Sequence, residues 1–124
     1  MQYIIGGLVM LTIDIIYLSL TGHEFKGMVK KIQKSPFAMR MSGVIASYLF
    51  MILGLNTFII REKRTPLEAA ILGFVIYGVF DAVNYAIFSK YDLLIGLKDT
   101  FWGATLFYMT TYLTYKISKL IYHK

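Results

Sequence analysis

Four apolar runs constrain this chain more than any other feature. They cover about residues 3–21, 41–60, 67–89 and 100–121. Each is close to the roughly 20 residues that a helix needs to cross the hydrocarbon of a bilayer. In lipid the backbone must satisfy its own hydrogen bonds, so spans of this length are predicted to be helices. Hydrophobic residues make up 57% of the 124 positions, above the roughly 45–50% of a soluble domain, which also points to lipid contact. The expected fold is all-α: one integral membrane domain over residues 1–124, a four-helix transmembrane bundle. The first run lacks the marks of a cleaved leader. Met1-Gln2 holds no basic residue, Asp14 interrupts the run, and no small-x-small site stands near Leu20; the expectation is a retained span.

The connections between the runs carry most of the charge. The net charge is +6, with 13 Lys and Arg. These lie almost entirely outside the apolar runs, so anionic headgroups are the expected partner and nucleic acid is not. Between the first two runs, Phe25, Met28, Val29 and Ile32 repeat at i, i+3, i+4 and i+7, one face of a helix. Lys26, Lys30, Lys31 and Lys34 lie mostly off that face, and Arg40 follows. The pattern predicts a short amphipathic helix lying on the headgroups, broken at Ser35-Pro36; a solvated basic loop is the alternative. The 61–66 connection is a tight charged turn, and Pro66 suits the first turn of the third helix. Asp99 suits the N-cap of a fourth helix starting near Thr100.

Four spans put both termini on one side, A. Arg61, Lys63, Arg64, Lys116, Lys119 and Lys124 lie there, against Lys26, Lys30, Lys31, Lys34, Arg40, Lys90 and Lys98 on side B. That near-even division does not orient the chain. The first span, with basic residues only after it, favours side B in the cytoplasm and the termini outside.

Two runs contain a carboxylate where lipid opposes one. Asp14 stands in the first and Asp81 in the third. Even lenient insertion scales charge roughly 2.5–3.5 kcal/mol for this, so such residues face a bundle interior or a wet cavity. At a rise of roughly 1.5 Å per residue, they lie roughly 16 and 21 Å from side A, within about one helical turn in depth. Tyr77, Asp81, Asn84, Tyr85 and Phe88 fall on one broad face of the third helix. Gly78, Ala82 and Ala86 form an adjoining small-residue stripe, as do Ala69 and Gly73, and Gly43, Ser47 and Gly54 on the second helix; such stripes let membrane helices approach closely. Each acid has a plain reading beside the functional one. Asp14 and Asp81 suit interhelical hydrogen bonding, and Asp99 suits capping. Trp102, Tyr108, Tyr112, Tyr115 and Tyr122 suit an interfacial belt. His23 and His123 read as exposed histidines.

No nucleotide phosphate loop, His-Glu-x-x-His pattern or Ser-His-Asp spacing is present, and there is no cysteine. The chain therefore reads as a non-enzyme without a cofactor. Three carboxylates on three helices suit a hard cation if they meet, which spacing does not decide.

Three short motifs resemble a family of bacterial and viral membrane proteins, domain of unknown function 2177. Leu11-Thr12-Ile13-Asp14 matches its Leu-x-x-Asp, followed here by Tyr17-Leu18 where the family commonly has Trp-Leu. Phe80-Asp81-Ala82-Val83-Asn84 resembles Tyr-Asp-Leu-Thr-Asn, and Asp99-Thr100-Phe101-Trp102-Gly103 resembles Asp-x-x-Trp-Gly. The resemblance implies a four-helix membrane protein in which Asp14, Asp81, Asn84, Asp99 and Trp102 matter, and makes a viral membrane one setting. It implies no activity.

Two readings of function follow. In the first, the chain is a proton or cation channel or transporter, built as a homo-oligomer. Asp81 binds or relays, Asn84 orients it, Asp14 faces it, Asp99 sits at the side-B mouth, and Trp102, Tyr77 and Tyr85 shape the site. In the second, it is a structural or assembly protein whose acids bind helices together and whose basic connection holds lipid or a partner such as a capsid protein. A lipid-modifying enzyme with a metal on the acids is a distant third.

Overall fold

The computed structural model describes residues 2–35 and 39–122, and no side chain of Tyr122. Calls resting on Pro36, His123 and Lys124 lie outside the described residues. The described chain is four helices: α1 (Gln2–Gln33), α2 (Met41–Leu55), α3 (Pro66–Ile87) and α4 (Leu93–Tyr122). α2 continues as a π-helical turn over Asn56–Ile60. The helices α1, α2 with its π turn, and α3 are long and apolar enough to cross a membrane. α4 is as long but less apolar, because its inward stripe is Gly96, Thr100, Gly103, Thr110, Thr111, Thr114 and Ser118.

Polarity is inverted relative to a soluble domain. Ile4, Leu8, Leu20, Leu49, Phe50, Leu53 and Ile87 are exposed, while Asp14, Asp81, Thr100, Thr110, Thr111, Thr114 and Ser118 are buried. An outer surface this apolar suits lipid. The apolar core that remains is small: Met10, Leu55, Ile59, Ile60, Ala69, Leu106 and Phe107.

Two sequence expectations about helix limits need correction. The basic segment after residue 21 is not a separate helix on the headgroups; it is the last third of α1. Thr21-Gly22-His23 marks a change of composition, not a break. Gly22 is buried inside the helix, and Thr21 donates to the Tyr17 carbonyl at 2.9 Å. The 32 residues of α1 reach ~48 Å, well beyond a hydrocarbon core of about 30 Å. The surplus is the basic C-terminal end of the helix. Its apolar face turns towards the bundle: Met28 is buried, and its sulfur accepts from the Asp92 N–H at 3.1 Å. Lys30, Lys31 and Lys34 are exposed.

The second correction concerns α4, which starts at Leu93. Asp99 is therefore interior, and Asp92 caps the helix instead, accepting from Leu94 N at 2.8 Å and Ile95 N at 3.3 Å. The α3 start is as the sequence suggests. Pro66 follows Thr65, whose side chain forms a reciprocal capping box with Glu68.

Only some small-residue stripes bring helices together. A Cβ on Gly73 would stand 2.3 Å from the Gly103 carbonyl, and one on Gly103 would stand 2.3 Å from Tyr77 Cγ. Here α3 and α4 touch backbone to backbone. Nothing lies within 4 Å of a Cβ at Gly43 or Gly54, and Ala82 and Ala86 face outward.

Candidate functional site

The crossing of α3 on α4 positions the acids. One turn from Gly103 towards the α4 N-terminus, Thr100 Oγ1 lies 2.9 Å from Asp81 Oδ2 and 3.0 Å from the Gly96 carbonyl. A hydroxyl has one proton, so it serves one of these acceptors at a time. Tyr91, from the short α3–α4 connection, donates to Asp81 Oδ1 at 2.7 Å. Burial, and next the bond to Asp81, push the Tyr91 hydroxyl above its ordinary pKa, so it stays a donor. Asn84 is half-buried one turn from Asp81 on α3.

Asp14 is held from two other helices. The Tyr48 hydroxyl of α2 donates to its Oδ2, and Trp102 Nε1 of α4 donates to its Oδ1 at 2.9 Å. The Trp102 indole stacks on Tyr17, with centroids 3.8 Å apart and planes within 6°. Trp102 is therefore part of the interior, not an interfacial belt residue. Asp14 and Asp81 are each 5% exposed.

Asp99 joins the two. Its carboxyl adjoins Asp81 and lies within electrostatic reach of Asp14. Tyr77 sits among Asp14, Asp99, Tyr48 and Asp81. The ion pairs among the described residues are Arg61–Glu62, Arg64–Glu68 and Lys98–Glu24; none includes these acids. The acids do converge, but no group of three or more Asp, Glu or His among the described residues is placed to hold a metal ion. Tyr85 stands apart from the cluster, exposed on the outer face of α3.

Asp99 and Tyr77 open onto a cavity of about 750 Å³. Its walls come from residues 17–25 of α1, 47–51 of α2, 76–80 of α3 and 95–99 of α4. These are the side-B portions of the four helices. His23 is exposed at this cavity, and Lys98 and Glu24, also on it, pair across α1 and α4 at 3.4 Å.

A second polar zone occupies the other half of α4. Thr110, Thr111 and Ser118 hydroxyls and the Asn56 side-chain oxygen are buried without a hydrogen-bond partner among the described residues. Thr114 donates to the Thr110 carbonyl at 2.6 Å. Such groups cost about 1–3 kcal/mol each if nothing pairs with them. Met10, Leu106 and Phe107, all fully buried, separate this zone from the acids.

Sequence reading did not single out Tyr48, Tyr91, Thr100 or this hydroxyl zone. Tyrosine and threonine are common in membrane helices, and only the contacts show which of them face inward.

The site also joins the three motifs. Helix-1 Asp14 meets helix-4 Trp102, and helix-3 Asp81 meets helix-4 Thr100. A family model described as a predicted membrane protein, DUF2177, matches residues 1–116. No curated protein and no solved structure matches the chain.

Proposed function

We propose that this chain, which belongs to the DUF2177 family of predicted membrane proteins, is a proton-handling channel or carrier with four membrane-crossing helices. The observation that carries this reading is the Asp81–Asp99 pair: two adjoining carboxyls that no ion pair among the described residues includes, one of them on a cavity. Two adjacent carboxyls in a low-dielectric site resist ionising together, which supports reading the pair as the group that takes up and releases the proton. The cavity exposes Asp99 beside the side-B turns of α1 and α4. The Met10–Leu106–Phe107 layer separates it from the hydroxyl zone, which supplies polar groups for water on the way to side A. A proton fits this arrangement better than a metal cation, since the acids are bonded to hydroxyls and an indole rather than grouped as ligands. Side B faces the cytoplasm in this reading, with the exposed lysines of α1 on anionic headgroups.

The test is proton flux into liposomes carrying the purified protein, parent beside Asp81→Asn. The expected result is dissipation of an imposed pH gradient by the parent and loss of flux in the variant, with unchanged fluorescence of Trp102, the sole tryptophan. Absence of flux in both would overturn the reading.

One observation favours a structural role for Asp14 itself. Both its oxygens are filled by donors from α2 and α4, so it ties three helices together. On that second reading, a structural or assembly protein, Asp14 and Asp81 variants lose stability and there is no flux to lose.

A further inference from the structure

We propose that the side-B cavity binds a lipophilic organic cation, with the Asp99 carboxylate as its counter-ion. This inference rests on the reading of the Asp81–Asp99 pair as the proton-holding group. The volume, about 750 Å³, falls within the roughly 300–1,000 Å³ of small-molecule sites. Leu18, Met51, Ile76 and Ile95 give the walls an apolar character, and Tyr17, Phe25, Phe50, Tyr77 and Phe80 also line them. Aromatic rings attract cations through their quadrupole, more strongly where water is excluded.

The charge on the walls decides the sign of the ligand. Glu24 and Lys98 pair with each other and cancel, leaving the Asp99 carboxyl, which adjoins Asp81, and the His23 imidazole, formally neutral at pH 7. A neutral lipid chain would gain nothing from that carboxyl, and an anion would be repelled. A cation neutralises it, as a proton otherwise does. Binding therefore displaces one proton from the Asp81–Asp99 pair to the medium: the carboxyl O–H ionises, the ligand takes up the charge, and no covalent bond to the ligand forms. Proton and organic cation compete for one site, which is the requirement for exchanging one against the other across a membrane.

Tetraphenylphosphonium suits the test because it is a permanent cation with aromatic arms and no proton of its own. Its binding to detergent-solubilised protein would be measured by calorimetry, in parent and Asp99→Asn. The expected result is saturable binding by the parent that tightens as pH rises, release of about one proton per cation, and at least tenfold weaker binding in the variant. Triphenylphosphine oxide, neutral and similarly shaped, should not saturate the site. Equal cation binding in Asp99→Asn, equal binding of the neutral probe, or no binding by the folded parent would each overturn the proposal. Proton flux without cation binding would remove this inference alone. Cation binding without proton release or flux would remove the proton-holding reading and, with it, the competition proposed here.

Discussion

Trp102→Phe removes one hydrogen-bond donor and retains an aromatic ring. The indole N–H stands 2.9 Å from Asp14 Oδ1 and the ring lies 3.8 Å from Tyr17. Phenylalanine preserves a face for Tyr17, so the loss is chiefly the bond. Hydrogen bonds to charged groups contribute about 1.5–3 kcal/mol in soluble proteins; polar contacts between membrane helices average about 0.6 kcal/mol and reach about 1.7. Asp14 retains the Tyr48 hydroxyl and is not left bare. The expected cost is about 1–2 kcal/mol. A double-mutant cycle with Asp14→Leu isolates the bond and should return a coupling of at least about 0.6 kcal/mol. Stability would be read by SDS titration of the reconstituted protein with far-ultraviolet circular dichroism, since the variant has no tryptophan. Additivity within about 0.3 kcal/mol would refute the idea that this bond ties α1 to α4.

Two further substitutions probe the framework around the site. Gly103→Ala would set a Cβ 2.3–2.6 Å from the root of the Tyr77 side chain, forcing α3 and α4 apart; a loss of about 1–3 kcal/mol or more is expected, against a gain of about 0.5–1 kcal/mol for Gly54→Ala in open space, both in the same titration. Asp92→Ala removes the α4 cap and should cost about 1 kcal/mol, with faster amide hydrogen exchange at Leu94 and Ile95 than in the parent.

The sequence made the number of helices legible because each appears as a long apolar run, although only α1, α2 with its π turn, and α3 are apolar enough to cross a membrane. It did not reveal where α1 and α4 really end. At Thr21-Gly22-His23 the composition changes from apolar to basic, whereas the backbone stays helical. At Leu93 the helix begins before the expected run over 100–121, because Asp92 caps it and Leu93, Leu94, Ile95 and Leu97 carry the apolar pattern up to Lys98-Asp99. Small-residue spacing identified Ala69 and Gly73 but equally marked Gly43, Gly54, Ala82 and Ala86. Spacing alone does not say which face meets a neighbour. The acids were legible because a carboxylate in lipid is costly. Their partners Tyr48, Tyr91 and Thr100 were not, since those residue types are tolerated at many depths. Tyr85 shares a broad helical face with Asp81 in sequence, but a face that broad includes positions turned outward.

The most direct measurement is infrared spectroscopy of the reconstituted protein as pH is changed, following the carbonyl stretch of protonated carboxylic acids. The parent should show a band near neutral pH, well above the ordinary carboxyl range of about 4, that is absent from Asp99→Asn, with Trp102 fluorescence intact. The same band in parent and variant would contradict a shared proton on the Asp81–Asp99 pair, and with it the proposed proton-handling role.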